Sequence, residues 1–582
     1  MTDNNFQLNE KRDSKVLDFY EKILEIEQRL IPTGLHIFGS KTTGTEITEL
    51  LTMVVSFQRP ELDLPALTDL IAEGLGLPPY SQLLKESNKS EQNLTRRERV
   101  EALTRKTVGQ IVEGKVHSQV ALWINQQAGT SVDQALKIFS FLDNIQQQLQ
   151  SNEEINSLLK ALRGEYLPPG PGGDVLQNPS ILPTGRNTHA INPYAIPSTL
   201  AVRNAEPLVS ALLDRYQSDL KKIPESIAMV LWGIDNIKKE GQAVAQVLWL
   251  LGVKPIRDGL NRVADISVIS LEDLGRPRID VVMTVSGIFR DLFGSTMDLL
   301  DRSVKRVAAL DEPHHMNFVC KHVEEQIQNT GCSFEEAATR VFSNAAGNYG
   351  TNVNFLVLQS QWEDASELGD LFVSRKSFAY GRDSNGVIME GRQAEDLLDN
   401  ALSRVEVTYQ SIDSTEVGIS DVDHYFEYLG GVTKAVEKRA GKQPKIYLSD
   451  TLTPNSKIRT LQETLQLESR TKVLNPKWYE GQLRHGFSGV AEIEHQLTNI
   501  FGWSATANAV DDWIYDQVVE TFVLDREMLN RLKSLNPYSV QTLVGRLLEA
   551  SGRGFWSAKP EMLNKLKEVF SSLEDALEGV SS

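Results

Sequence analysis

The sequence predicts a multi-domain α/β protein in three parts: a helical N-terminal segment, a doubly wound parallel-sheet (Rossmann-like) segment, and a mixed, mostly helical C-terminal segment. Three observations support this. The 582 residues exceed the length of a typical single domain. Apolar residues recur at helical spacing through the first part of the chain. Beyond a proline-rich stretch, short apolar runs alternate with helix-length segments, a pattern typical of parallel sheets.

The N-terminal part begins with a polar stretch, residues 1–15, which we expect to be a disordered tail. Helical spacing of apolar residues starts at Leu17 and stops at Pro32, because proline cannot continue a helix. Similar segments follow up to residue 165. The sequence therefore predicts a mostly helical domain over 16–165.

The stretch 167–198 contains seven prolines and four glycines, so neither a helix nor a central strand can run through it. Between these prolines and glycines lie apolar residues such as Leu176, Leu182 and Ile196, which a disordered linker usually lacks. We expect an ordered loop, packed on the protein, that opens an α/β domain over 166–400.

Within that domain, Ser226–Gly233 is an apolar run that ends in glycine and predicts a buried strand, and Ile279–Ser286 predicts another. Asp265–Ser270 also has the composition of a strand. For residues 401–582 we expect a mixed, mostly helical C-terminal domain. Lys445–Leu448 is a short predicted strand within it. Since ligands bind beyond the carboxyl ends of parallel strands, the residues after these strands are candidates for a site.

Composition excludes several classes of function. The net charge is −18, which argues against nucleic acid or an anionic membrane as the main partner. The two cysteines do not form a disulfide framework and indicate a reducing compartment. No apolar run approaches the length of a membrane span, and no signal peptide is evident. We therefore expect a cytoplasmic protein without a transmembrane segment.

A carboxylate–histidine cluster lies at Asp421, Asp423, His424 and Glu427. In a helix, Glu427 shares a face with both Asp423 and His424. Such a group can accept protons or hold a hard cation. The alternative interpretation is a solvated helix start, whose acidic residues are favoured near the positive end of the helix dipole.

A second cluster combines His314, His315 and His322 with Cys320 and Cys332. Its spacing matches no standard zinc pattern, and His315, Cys320 and His322 fall on different faces of the predicted helix. Core and surface roles are therefore favoured over a zinc site. Glycine-rich phosphate loops and a G-x-S-x-G nucleophile motif are absent, so we expect no ATP site in this chain.

Eight segments of the chain form a recognisable series. They are LPPGPGGDVLQNPSILPTGRN, VLWLLGVKPIRD, LGRPRIDVVMTVSGIFRDLF, ATRVFSNAAGNYGTNVN, SRKSFAYG, DVDHYFEYLGG, RTKVLNPKWYEG and GWSATANAVDDWIY. Together these segments resemble the large, porphyrin-binding subunit of magnesium chelatase. The resemblance covers the chain from about residue 16 onward, in the family's order, and includes only the C-terminal half of that subunit. The cobaltochelatase large subunit shares part of the pattern.

The resemblance implies a subunit that inserts Mg²⁺ into protoporphyrin IX, with both as substrates, in chlorophyll and bacteriochlorophyll biosynthesis. It implies partners: an AAA+ ATPase subunit, a second small subunit, and a chain that supplies the missing N-terminal half. A split subunit, a fragment and a stand-alone relative all remain open. The rival functions are cobalt insertion into a corrinoid precursor and a non-catalytic tetrapyrrole-binding or scaffold protein.

Mg²⁺ dehydrates reluctantly and prefers oxygen ligands, and two pyrrole protons must leave. We therefore predict His424, Glu427 and Asp423 as catalytic residues and Asp421, Asp423 and Glu427 as metal ligands. Trp478 and Trp503 are candidate cavity walls, although core packing suits both. The candidates for binding the porphyrin, of which the cationic ones can pair with propionates, are Asn187, His189, Arg290, Arg375, Lys376, Tyr380 and Trp503.

Overall fold

The structure is a computed structural model, and it divides the chain into two compact units, Met1–His189 and Ala190–Ser582. This division differs from the predicted boundary at 165/166, because Leu176 and Leu182 pack in the core of the first unit. It differs from the boundary at 400/401, because strands from both sides of residue 400 share one sheet. The structure describes all residues except 1–21, 24, 27–28, 30, 43, 88–89, 177, 189–190, 384–385, 415–416, 452–456 and 580–582. The predicted tail over 1–15 thus lies outside the described residues.

The first unit is a helical domain, as predicted for the N-terminal segment. Ser90 and Ser131 act as N-caps, each accepting a hydrogen bond from a backbone N–H in the first turn. Inward-facing residues such as Val100, Ile124 and Phe139 form its core. Its α-helices span Gly44–Val54, Leu67–Gly74, Tyr80–Glu86, Glu91–Val112, His117–Ala128, Val132–Gln150 and Glu154–Leu162, and 3₁₀ turns lie at Pro60–Leu62 and Pro179–Ile181.

The proline-rich stretch is ordered and packed in its described part, which confirms the prediction. Leu176 and Leu182 are buried in the core of the first unit, and Ile196 is buried in the core of the second. Arg59 donates to the carbonyl of Leu176 at 2.6 Å and ties the loop to the helices. Proline and glycine prevent this stretch from forming a long helix or strand. Its buried apolar side chains therefore fix its path.

The second unit contains the main sheet of the protein. The strands of the chain are β1 (Pro169–Gly170), β2 (Asn187–Thr188), β3 (Ser226–Leu231), β4 (Val253–Arg257), β5 (Val263–Val268), β6 (Asp280–Val285), β7 (Val341–Ser343), β8 (Phe378–Arg382), β9 (Ile388–Gln393), β10 (Val407–Ile412), β11 (Lys445–Asp450) and β12 (Lys457–Thr460). Eight of them form one sheet in the order β12-β11-β10-β3-β6-β7-β8-β9.

The five central strands of this sheet, β11, β10, β3, β6 and β7, run parallel, whereas β12, β8 and β9 add antiparallel edges. From β3 the chain builds outward to β6 and β7 on one side and later to β10 and β11 on the other. Because crossovers are right-handed, this order is the doubly wound arrangement that the sequence predicts. The switch point lies between β3 and β10, and the carboxyl ends of these strands form a crevice there.

One expectation about the strands differs from the structure. The predicted strand over 265–270 is not part of the parallel sheet; it forms β5, which pairs antiparallel with β4 in a separate hairpin. Its alternating burial suits a ribbon with one face toward the protein. Composition identified a strand here but could not tell which neighbour it pairs with.

The helices of the second unit cover the sheet and form a helical C-terminal part. In the described part of the chain, no helix is long and apolar enough to cross a membrane. The helices span Thr199–Leu220, Gly233–Lys238, Gln242–Leu251, Leu271–Leu274, Gly287–Leu292, Gly294–Ala308, Phe318–Thr330, Phe334–Ala337, Val353–Leu358, Ser366–Lys376, Glu395–Leu402, Asp423–Tyr425, Gly431–Ala440, Leu461–Thr471, Pro476–Leu483, Phe487–Ala507, Asp512–Val519, Arg526–Leu535, Pro537–Gly552 and Pro560–Leu577; 3₁₀ and π turns lie at Pro193–Ala195, Phe426–Gly430 and Glu520–Leu524.

Candidate functional site

A polar site lies beyond the carboxyl ends of the parallel strands. The segment 344–352, here called the 344–352 loop, follows β7 directly. After β6, the Ser286 hydroxyl caps the helix Gly287–Leu292, accepting from the N–H of Phe289 at 3.2 Å, and that helix carries Arg290. Since parallel strands end at one edge, these elements meet there.

Three residues that the sequence predicts for substrate binding donate hydrogen bonds to the 344–352 loop. Lys376 donates to the side-chain oxygen of Asn344 at 2.8 Å, and the Tyr380 hydroxyl donates to the Asn344 carbonyl at 2.6 Å. Arg290 donates to the carbonyls of Ala345 and Asn348 at 2.7 and 2.9 Å. The structure therefore brings Arg290, Lys376 and Tyr380 together around one loop.

Lys376 is completely buried beneath this loop. Its ammonium also donates to the Val285 carbonyl at 2.9 Å and lies 4.0 Å above the ring centre of Tyr428. Burial holds the pKa of Lys376 well below its usual value, and the charge of Glu427 opposes this shift only in part. Lys376 thus positions the loop from the protein interior.

Glu427 holds the other end of the loop. Its carboxylate is 1% exposed and accepts hydrogen bonds from the backbone N–H groups of Thr351 and Asn352 and from the Thr351 hydroxyl. Gly350 makes this approach possible: its φ is +71°, and a Cβ there would lie 2.9 Å from the Glu427 carboxylate. Burial raises the pKa of Glu427, but the hydrogen bonds from His424 and Thr351 outweigh it, so the pKa is lowered.

His424 connects this buried carboxylate to solvent. Its Nδ1 lies 2.8 Å from Oε2 of Glu427, while 61% of its side chain is exposed. The hydrogen bond to Glu427 raises the pKa of His424, and partial burial opposes it. The helix here contains a π turn over Phe426–Gly430, a feature frequent at functional sites. An exposed imidazole oriented by a buried carboxylate is an arrangement suited to accept a proton.

Asp423 completes the cluster from the start of the same helix. Its Oδ1 lies 3.6 Å from Nδ1 of His424, and its Oδ2 accepts from the amide of Asn354 at 2.6 Å. The amide oxygen of Asn354 is buried, and among the described residues it has no hydrogen-bond partner. The amide nitrogen of Asn354 therefore faces Asp423, and both side chains carry oxygens of the kind that hard cations prefer.

Asp421 makes different contacts from these three residues. It accepts hydrogen bonds from Lys472, from the Gln496 amide and from the N–H of Gly418. Burial raises the pKa of Asp421 to about 6, although the charge of Lys472 opposes the shift. The Asp421 carboxylate is thus bound by residues of later helices. By contrast, Glu427 binds the 344–352 loop, and Asp423 binds Asn354 just beyond that loop.

The other residues that the sequence predicts for substrate binding are not gathered at one place. Trp503 and Trp478 are buried, and the Trp503 indole donates to the Ile419 carbonyl at 2.8 Å, which orders the chain leading to Asp421. Arg375 is half-buried beside Lys376, and its carbonyl accepts from Asn344 at 3.2 Å. Asn187 pairs in β2 in the first unit, and His189 lies outside the described residues.

Sequence reasoning missed the residues that join these groups: Asn344, Thr351 and Asn354. The available signal was a polar, glycine-containing segment placed directly after a buried strand. At the switch point, where the sequence makes the residues after β3 candidates for a site, a small cavity of about 10 Å³ is lined in part by Trp232, Asp235 and Asp413. Burial, with the nearby charge of Asp413, raises the pKa of Asp235 to about 7.

Comparison with known proteins gives consistent results. The sequence profile of the family described as CobN/Magnesium Chelatase matches residues 2–563. The chain is 43% identical over 597 residues to "Magnesium-chelatase subunit ChlH, chloroplastic" of Oryza sativa subsp. indica, an alignment that covers 98% of this chain and 43% of the relative. It is 37% identical to a magnesium-chelatase subunit of Chlorobaculum parvum, over 97% of this chain and 45% of the relative.

A solved structure is also similar. The "Catalytic Subunit of Cobaltochelatase from Mycobacterium tuberculosis" matches with a TM-score of 0.88 and 32% sequence identity. The match covers 97% of this chain and 47% of that structure. The chain thus spans less than half the length of each of these proteins. Nearly all of its fold recurs in one portion of a larger molecule.

Proposed function

Because this chain belongs to the CobN/magnesium chelatase family, we propose that it forms the C-terminal portion of the porphyrin-binding subunit of an ATP-dependent magnesium chelatase. In this role it takes part in the insertion of Mg²⁺ into protoporphyrin IX in chlorophyll or bacteriochlorophyll biosynthesis. The observation that carries the proposal is the cluster of Asp423, His424 and Glu427, in which Glu427 binds the 344–352 loop and orients His424. It supplies a proton acceptor and oxygen ligands in one place.

His424 is the proton acceptor in this proposal. Metal insertion releases two pyrrole N–H protons, and the exposed imidazole accepts them one after the other and passes each to solvent. Glu427 orients the ring through Nδ1 and stabilises the imidazolium that forms. Its other oxygen remains bound to the loop, so the pair stays fixed while the proton moves.

Asp423 and the Asn354 amide oxygen are the best placed groups to replace water on Mg²⁺. Mg²⁺ keeps its water shell unless oxygen ligands are offered in its place. The oxygens of Glu427 and Asp421, which the sequence also predicts as metal ligands, already accept hydrogen bonds from other donors. We therefore assign them a positioning role and place the ion against Asp423.

Arg290 and Arg375 are the candidates for pairing with porphyrin propionates. Each has a buried side-chain nitrogen without a hydrogen-bond partner among the described residues, Nη2 of Arg290 and Nε of Arg375. A propionate carboxylate would satisfy such a donor with a charge-assisted hydrogen bond. Lys376 and Tyr380 shape the floor of the site, since both are buried and bound to the loop.

The partners in this proposal are an AAA+ ATPase subunit, a second small subunit, and a chain that carries the remaining half of the porphyrin-binding subunit. The coverage of the relatives, 43 and 45%, supports the need for that further half. ATP is hydrolysed by the partners in this scheme. We place the assembly in the cytoplasm.

Cobalt insertion is the second candidate function, and the likeness to the cobaltochelatase structure at 32% identity favours it. The higher identities, 43 and 37%, are with proteins named magnesium chelatases. They favour Mg²⁺ as the metal.

The test is a reconstitution of the full chain with the remaining half-subunit and the two small subunits. Mg²⁺ with protoporphyrin IX and Co²⁺ with a corrinoid precursor are supplied in parallel with ATP, and product is followed by absorbance. Formation of Mg-protoporphyrin supports the proposal. Product only with Co²⁺ supports the rival function, and porphyrin binding without insertion of either metal would identify a scaffold.

A further inference from the structure

A second group of metal-ligating side chains lies away from the candidate site. The helix Phe318–Thr330 carries Cys320 and Glu324, one turn apart on the same face. His314 comes from the turn that precedes this helix. Backbone hydrogen bonds join Arg278, just before β6, to Met316 and Phe318. The group therefore lies toward the amino end of β6, at the opposite edge of the sheet from the 344–352 loop.

The three side chains converge on one point. A ring nitrogen of His314, the sulfur of Cys320 and a carboxylate oxygen of Glu324 all lie within 4.8 Å of one another. Oε2 of Glu324 lies 3.0 Å from Nε2 of His314, and Oε1 of Glu324 accepts from the Cys320 thiol at 3.4 Å. Metal–ligand bonds of about 2.0–2.3 Å in a tetrahedral site place ligand atoms roughly 3–4 Å apart. The two contacts of Glu324 fall within this range, and the His314 nitrogen and the Cys320 sulfur lie within 4.8 Å of each other.

His322, which the sequence analysis grouped with these residues, lies elsewhere. His322 is buried between Asp280 and Glu225, at 2.9 and 3.2 Å, which is the core role that the sequence favoured. Cys320 and His322 lie on different faces of the helix, as the sequence predicts. The sequence analysis did not consider Glu324, which supplies the third ligand.

The ligand set selects a class of metal. Thiolate and imidazole are ligands of Zn²⁺ and Co²⁺, whereas Mg²⁺ prefers oxygen alone. Three protein ligands leave a fourth position for water, as in open zinc sites. The exposed side chains of His314 and Glu324 give an ion direct access from solvent.

We propose that His314, Cys320 and Glu324 form a binding site for one divalent transition-metal ion of the Zn²⁺ and Co²⁺ class. The ion replaces the thiol proton of Cys320 and the hydrogen bonds that Glu324 now makes, and the proton leaves to solvent. Bound there, it clamps the turn around His314 to the helix Phe318–Thr330. This site is independent of the proposed porphyrin chemistry and selects against the Mg²⁺ that the other site favours.

The experiment titrates the full chain, freed of metal by a chelator, with CoCl₂. We expect one equivalent to bind with a thiolate-to-cobalt charge-transfer band in the near ultraviolet. ZnCl₂ should displace the cobalt, and an excess of MgCl₂ should leave the band unchanged. Absence of the band, or its loss on adding MgCl₂, would overturn the proposal.

Variants locate the site. His314→Ala and Cys320→Ser should each weaken Co²⁺ binding at least about ten-fold, and Cys320→Ser should also remove the charge-transfer band. His315→Ala and Cys332→Ser are matched controls, which should bind as the unchanged chain does. His314 is exposed, so His314→Ala tests the idea without risk to folding. Unchanged affinity in His314→Ala, or loss of the band in Cys332→Ser alone, contradicts the assignment.

Discussion

Nδ1 of His424 lies 2.8 Å from Oε2 of Glu427, so that a mostly exposed imidazole rests on a carboxylate that is almost completely buried. The other oxygen of Glu427 holds the backbone of Thr351 and Asn352. One carboxylate therefore links a solvent-facing base to the loop that follows β7. Changes to either partner should separate the proton chemistry from the structural role.

Replacing His424 with alanine should abolish the proposed proton transfer while leaving the fold intact. General-base catalysis contributes about 10²–10⁴-fold, so metal insertion in the reconstituted assembly should fall by at least about 100-fold. The fold should be retained with a moderate fall in melting temperature, because the buried Glu427 carboxylate loses its imidazolium partner. His117→Ala is a control, since His117 lies in the first unit and pairs with Asp143 at 3.0 Å. Full activity of His424→Ala would refute the assignment.

The pKa of His424 should be raised in the folded protein and should return toward its ordinary value of 6.5 in Glu427→Gln. The side chain of the introduced glutamine can keep the hydrogen bonds that Oε1 of Glu427 makes with the loop. It lacks the negative charge that favours protonation of His424. Titration of the His424 ring protons by NMR measures both values. An unshifted pKa in the unchanged chain would show that the pair does not form in solution.

The same pair should make stability depend on pH in a defined window. The raised pKa of His424 gives stabilisation that is complete below 6.5 and is lost as pH rises through the folded value. The lowered pKa of Glu427 gives stabilisation that is complete above 4.5 and is lost as pH falls through its folded value. The difference in melting temperature between the unchanged chain and His424→Asn should thus be greatest between these pH values. A difference that grows above that window would contradict the ion pair.

Removing the positive charge of Lys472 should destabilise the second unit strongly. In Lys472→Met the buried carboxylate of Asp421 loses its ion-pair partner, which costs about 3–5 kcal/mol when such a pair is broken. Lys438→Met is the matched control, because Lys438 pairs with Asp370 on the surface and should cost only about 0–1 kcal/mol. Denaturant unfolding measures both. Equal losses in the two variants would show that Asp421 is solvated.

Much of the site was accessible from local patterns. The spacing of Asp423, His424 and Glu427 placed them close together, and the apolar runs ending near Leu231 and Val285 located the edge of the sheet at which we propose the site. These are short-range properties, since helical and strand periodicities act over a few residues. Pairing partners were less accessible: β5 was assigned to the wrong sheet because a strand's composition does not specify its neighbour.

The sequence by itself determined the doubly wound architecture, the order in the proline-rich stretch and the types of side chain that can bind a metal ion. Only the tertiary structure decided which groups meet. Glu427 and Thr351 are 76 residues apart in the chain, and the burial of Lys376 depends on a loop that follows a different strand. Glu324 joins His314 and Cys320 because a turn folds back onto a helix. The contacts of Glu427 and Lys376 arise from packing between distant segments, and the approach of His314 to Glu324 depends on the path of a turn. Local propensity encodes neither.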